Sequence, residues 1–234
     1  MKDHKIYLIC AVAIVFPSFV LAARPFVTDD ARLTTGGSCQ LESWTRLYSD
    51  STEIWALPAC NPTGNLEFTF GGGGAKPKGM LASNDYVFQA KTLFRSLETN
   101  GWGWGLAAGT IRHPAISPGP NLLSNTYAYI PMSLSLNDDK VIVHVNLGWI
   151  NDKATSLNSA SWGLGGEFKL HSKLLGIAET YGDNRGMSYG QVGFRYSLIP
   201  DLFQVDATVG QQLSGPAASR WLSFGIRYTP AKLF

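Results

Sequence analysis

Ser133, His144 and Asn146 are the residues of this 234-residue chain with the types and spacing for covalent chemistry. A tight turn at Asn137-Asp138-Asp139, with its register centred between Asp138 and Asp139, sets Ser133 opposite His144 and leaves Asn146 on the same face. A histidine beside a serine can take the hydroxyl proton as the oxygen attacks an ester carbonyl. A slip of one residue separates the pair, and a hydrogen-bonded structural histidine is the simpler reading.

A second set is defined by parity. Glu67, Lys91, Arg95, His144, Glu167, Lys169, Glu179, Arg195, Asp206 and Arg227, with Asn146, fall at alternate positions between apolar neighbours. They suit either a paired network filling a narrow interior or a polar path for a small solute. Both signs occur, which argues against strong ion selection. No His/Cys/Asp/Glu cluster has zinc or calcium-loop spacing, so no metal or cofactor is expected. The Gly71–Gly74 run with Lys76-Pro77-Lys78-Gly79 lacks the spacing of a phosphate loop and reads as a flexible connection. Asp183, Asn184 and Arg185 are turn-favouring residues bounded by glycines.

Cys39 and Cys60 bracket a hairpin centred on Ser49-Asp50. In that register Trp44 opposes Trp55, Arg46 opposes Glu53 and Cys39 opposes Cys60, and each sensible cross-strand pair contributes about 0.2–1 kcal/mol. In an oxidising compartment the cysteines are expected to bridge. There is no C-x-x-C redox motif.

What must position these residues is a set of strands. In Ser159–Leu170, SASWGLGGEFKL, every second residue is apolar or small, so one face is greasy and the other polar. The same two-residue rhythm recurs in Gly64–Gly71, Asp85–Arg95, Gly101–Ile111, Asn125–Leu136, Lys140–Asn151, Tyr189–Leu198, Phe203–Val209 and Trp221–Tyr228. Leu174–Tyr181 is the least regular, because Leu175 and Ile177 share parity with Glu179. With the first hairpin this makes about 12 strands. Even-to-odd joints are short and odd-to-even joints mostly longer, such as His113–Leu123, the loop-length signature of an outer-membrane barrel.

Composition agrees. Charged residues make up 15% and glycines number 25, against about 25% and about 7% in soluble domains. No apolar run after the first residues reaches the roughly 18 residues of a membrane helix. A net charge of +2 gives no reason to expect nucleic acid as partner. Residues 1–23 have the basic start, apolar core and small-residue site of an export signal, with cleavage after Ala22 or Ala23. Residues 24–37 read as a periplasmic lead-in, mobile or folded against the barrel end, and 38–234 as the barrel.

The stretches RPFVTDDARLTTGGSCQLESW, NLEFTFGGG and GDNRGMSYGQVGFRYSLIPDLFQVDATVG resemble a bacterial family of outer-membrane barrels labelled for the meta-pathway of phenol degradation, a transporter-like family. The likeness runs from about Arg24 to Tyr228. It implies an outer-membrane location and passage of small hydrophobic or aromatic compounds, and carries over no site residue. The Ser/His/Asn trio also resembles that of outer-membrane phospholipases, whose signature is absent. The expectation is an all-β protein: a monomeric transmembrane antiparallel up-and-down barrel in a Gram-negative outer membrane, both termini periplasmic. Its partners would be outer-membrane lipid and lipopolysaccharide, the barrel-assembly machinery and a small solute. A passive channel leads. The alternatives are a lipid-modifying enzyme using Ser133 and His144, a closed structural barrel binding a partner through its loops, and a soluble periplasmic sandwich or lipocalin-like barrel that buries the large aromatics.

Overall fold

The structure is a computed structural model that describes residues 26–79, 82–114, 125–215 and 219–233. The signal-like residues 1–23, most of the His113–Leu123 joint and Phe234 lie outside the described residues. The strands are β1 (Ser38–Tyr48), β2 (Ser51–Asn61), β3 (Leu66–Pro77), β4 (Ser83–Arg95), β5 (Trp102–Arg112), β6 (Asn125–Leu136), β7 (Val141–Asp152), β8 (Leu157–His171), β9 (Leu174–Asp183), β10 (Ser188–Ile199), β11 (Phe203–Ser214) and β12 (Arg220–Tyr228). Each pairs antiparallel with its neighbours in sequence, and β1 pairs with β12 to close the cylinder. Closure leaves no edge strand, so each strand bonds to a neighbour on both sides.

The first-hairpin register is the expected one, with Trp44 opposite Trp55, Arg46 opposite Glu53 and a disulfide joining Cys39 to Cys60. A bridge across a separation of 21 residues stabilises by roughly 3 kcal/mol in the chain-entropy account. Two strands run well past the end that their alternation suggested. β11 continues to Ser214, and the glycine run expected as a loop is the middle of β3. A Cβ at Gly73 would lie 2.2 Å from Trp55 Cδ2, so within this strand the missing side chain of Gly73 makes room for an inward indole.

Parity sorts the two faces. Phe70, Phe94, Phe194, Leu222 and Phe224 point outward and are at least half exposed. An apolar surface of that extent is unstable in water and suited to hydrocarbon. A soluble sandwich or lipocalin-like barrel would have buried these rings, and that alternative is set aside. Strand lengths of 9 to 15 residues meet the roughly 9–11 residues a tilted strand needs to cross a bilayer. Phe224→Arg, near the middle of β12, is therefore expected to cost about 2–4 kcal/mol, and Tyr228→Arg at the strand end about 0–1 kcal/mol. Urea unfolding in lipid vesicles measures both.

Candidate functional site

The interior is not filled by the wall alone. Residues 26–37, expected at the barrel end, run into the lumen from the start of β1. Phe26, Thr28, Asp29, Ala31 and Thr34 are all buried. The polar stretch T-D-D-A-R-L-T-T did not distinguish the two placements, because side chains able to hydrogen-bond suit a polar interior as well as they suit water.

Wall residues receive the segment from its exit inward. Gly37 N–H donates to the Asn61 carbonyl (2.8 Å), and Asn61 Nδ2 donates to the Thr34 carbonyl (2.7 Å). Thr34 N–H donates to Glu67 Oε2 (2.7 Å). Arg32 Nη1 donates to Glu167 Oε2 (3.3 Å), and Ala31 N–H donates to Ser133 Oγ (2.8 Å). Asp29 is the most fully held residue. Its Oδ1 accepts from Lys91 Nζ (2.9 Å) and its Oδ2 from Tyr129 OH (2.6 Å). Asn146, with its amide oriented to match, accepts from Asp29 N–H (2.7 Å) and donates to the Asp29 carbonyl (2.9 Å). Lys91 also lies 3.7 Å from Asp30 Oδ1. Val27 and Thr28 N–H donate to the two oxygens of Glu179 (2.7 and 2.8 Å).

Glycines of the β8 template make the space. A Cβ at Gly163 would lie 2.5 Å from Thr28 Oγ1, and one at Gly165 3.3 Å from the Phe26 ring. Beside the segment remains a cavity of about 40 Å³, bordered by Leu33, Glu42, Gln89 and Arg227. That is room for a few waters, not for an organic solute.

Of the parity set, Glu67, Lys91, His144, Asn146, Glu167, Glu179, Arg195 and Asp206 are buried on the inner face. Arg195 Nη1 donates to Glu167 Oε1 (2.9 Å) and stands opposite Asp206 in the register. Arg227 is half-buried and donates to Gln40 Oε1 (2.8 Å). Arg95 is a correction, for it is exposed and lies on the outer face, whereas Lys169 is exposed at the end of β8. A register shift between Leu93 and Arg95 breaks the alternation, and the Arg95 guanidinium sits 4.4 Å from the ring centroid of outward Trp102. Lys169 stands at a second shift, between Lys169 and His171 at the end of β8.

Ser133 and His144 are opposed as expected, with Ser133 Oγ 2.8 Å from His144 Nδ1. Glu167 Oε1 is 3.9 Å from His144 Nε2. The arrangement is spent on the segment: Ser133 Oγ holds Ala31 N–H, Phe26 lies edge-on to His144 (5.6 Å), and the histidine is completely buried.

The sequence reading missed the inward aromatics. Trp44 and Trp55 stack (5.9 Å), as do Tyr127 with Tyr129 (6.2 Å) and Tyr181 with Tyr189 (5.3 Å), and Trp221 lies beside Tyr189 (6.3 Å). Parity contained them, since Tyr127 and Tyr129 share it with Ser133, and Tyr181 shares it with Glu179.

Solved structures that share this fold include three outer-membrane proteins. The KdgM porin gives a TM-score of 0.64 at 9% identity, over 82% of this chain and 99% of its own. The NanC porin gives 0.57 at 10% identity, over 82% and 100%. The COG4313 outer membrane channel from Pseudomonas putida F1 gives 0.57 at 12% identity, over 86% and 97%. At such identities the likeness is one of fold. No curated protein sequence matches this chain. A family model described as "Uncharacterised conserved protein UCP029691" matches residues 11–229, nearly the whole length, and the chain belongs to that family.

Proposed function

We propose that this protein is a passive channel of the Gram-negative outer membrane for small solutes, held shut by residues 26–35 in the state described. The observation that carries the reading is that the lumen is occupied by a separate strap. It is tethered at the exposed Thr35-Gly36 and held mainly by hydrogen bonds and ion pairs that water can replace. A purely structural barrel would gain more from filling its interior with wall side chains. In this reading residues 1–23 direct export, both chain ends and the short joints face the periplasm, and the barrel-assembly machinery inserts the mature chain among lipid and lipopolysaccharide. The similar folds of two porins and an outer-membrane channel support a channel. The inward tryptophans and tyrosines favour solutes with an apolar or aromatic body, in keeping with the phenol-degradation label of the resembled family.

Planar-bilayer recording tests this. The mature chain should show a mostly closed baseline broken by openings of one size. A protein that is folded by heat-modifiability yet passes neither current nor solute is a closed barrel, and the proposal fails. The 2.8 Å contact of Ser133 with His144 favours a lipid hydrolase as second reading. Phospholipid turnover abolished by His144→Ala would establish it, while the channel reading expects no turnover in either protein.

A further inference from the structure

The wall around the strap carries an excess of acid. Among the described residues, buried Glu42, Glu67, Glu167, Glu179, Asp183 and Asp206 outnumber buried Arg46, Lys91 and Arg195. Most of the carboxylates are answered locally. Glu167 meets Arg195 and Arg32, Glu42 lies 3.7 Å from Arg227, Glu67 stands opposite Lys91, and Asp183 accepts N–H bonds within its own loop. Glu179 differs. It makes no ion pair among the described residues, and its oxygens are held by the N–H groups of Val27 and Thr28 and by the Gln191 amide.

Next to it the Val27 side chain packs against Tyr181, Tyr189 and Trp221. The strap thus offers Glu179 N–H donors attached to a small apolar body. When the strap leaves, Glu179 loses two donors and the rings lose their apolar cover; water can replace the donors but not the cover. An ammonium group on an apolar stem replaces both, giving the carboxylate N–H donors and a counter-charge, and giving the rings an apolar body and a cation. Arg46, 5.1 Å from the Trp221 centroid, already occupies one approach to the rings, so Glu179 sets where the ammonium rests.

We infer that Glu179, Tyr181, Tyr189 and Trp221 form a site for small organic ammonium ions once the strap withdraws, and that the open lumen prefers cations to anions. The inference rests on the channel reading above. A ligand that binds only the withdrawn state shifts the balance toward opening.

The test uses the mature full-length chain in planar bilayers under a KCl gradient, with benzylammonium and benzoate as probes. Expected are a reversal potential on the potassium side and openings made several-fold more frequent by millimolar benzylammonium but not by benzoate. In Glu179→Gln the benzylammonium response should fall at least fivefold. A chloride-side reversal potential, an equal response to benzoate, or an undiminished response in Glu179→Gln overturns the inference and leaves the channel standing. If the variant does not fold, the wild-type comparison of the two probes decides. If no openings occur under any condition, the channel reading fails. Tryptophan fluorescence of the detergent-folded protein then decides the site: a benzylammonium-specific change upholds it, and no change overturns it.

Discussion

Channels carrying Lys91→Met are expected to open at least tenfold more often than the wild type. Lys91 is buried in the wall and reaches both acids of the strap, Asp29 at 2.9 Å and Asp30 at 3.7 Å. Methionine keeps the stem and removes the charge, so the closed state retains two adjacent carboxylates in a confined interior with their common cation gone and only Asp30 still paired, with Arg32 at 3.3 Å. Breaking a buried pair from one side costs about 3–5 kcal/mol. The open state, with Asp29 in water, is spared that cost, and about 1.4 kcal/mol of difference is already tenfold. Asp29→Asn added to Lys91→Met should restore part of the closure, because the stranded charge disappears while the amide keeps a polar group for Tyr129. An opening frequency unchanged by Lys91→Met would show that this pair does not hold the strap.

The opposite manipulation should abolish flux. Ala31 is completely buried with its N–H 2.8 Å from Ser133 Oγ, so Ala31→Cys with Ser133→Cys brings two thiols together only while the strap is in place. Oxidation should fix the strap inside the lumen, eliminating solute uptake by liposomes, and mild reductant should return it. The separation in sequence is 102 residues, so the bridge also gives a mobility shift on gels that reports its formation independently of flux. Each single-cysteine variant should be indifferent to oxidant. Full uptake through an oxidised, fully bridged protein would place the path elsewhere.

How much of this was legible depended on which residues share a rule. Period-two alternation is a local property, so the barrel, the Trp44–Trp55 and Ser133–His144 oppositions and most inward charges followed from parity and turn position. Parity fails where the backbone does. The shift at Leu93/Arg95 turned Arg95 out to Trp102, and no residue in that stretch announces a bulge. The glycines of β3 looked like a loop, and the Trp55 ring that needs Gly73 belongs to another strand. The strap was hidden for a further reason. Asp29, Asp30 and Arg32 have no periodicity, and their partners Lys91, Glu167 and Tyr129 lie about 60 to 140 residues away in sequence. A polar lead-in and a polar plug are written alike until the wall that receives them is built.

The most direct measurement is the rate at which a membrane-impermeant thiol reagent labels a single cysteine at Ala31→Cys, recorded beside current in the same reconstituted channels. Labelling should be slow in the otherwise wild-type chain and speed up at least tenfold with Lys91→Met, in step with the rise in openings. Rapid labelling of channels that stay shut, or a labelling rate that does not move when openings multiply, would contradict closure by this segment.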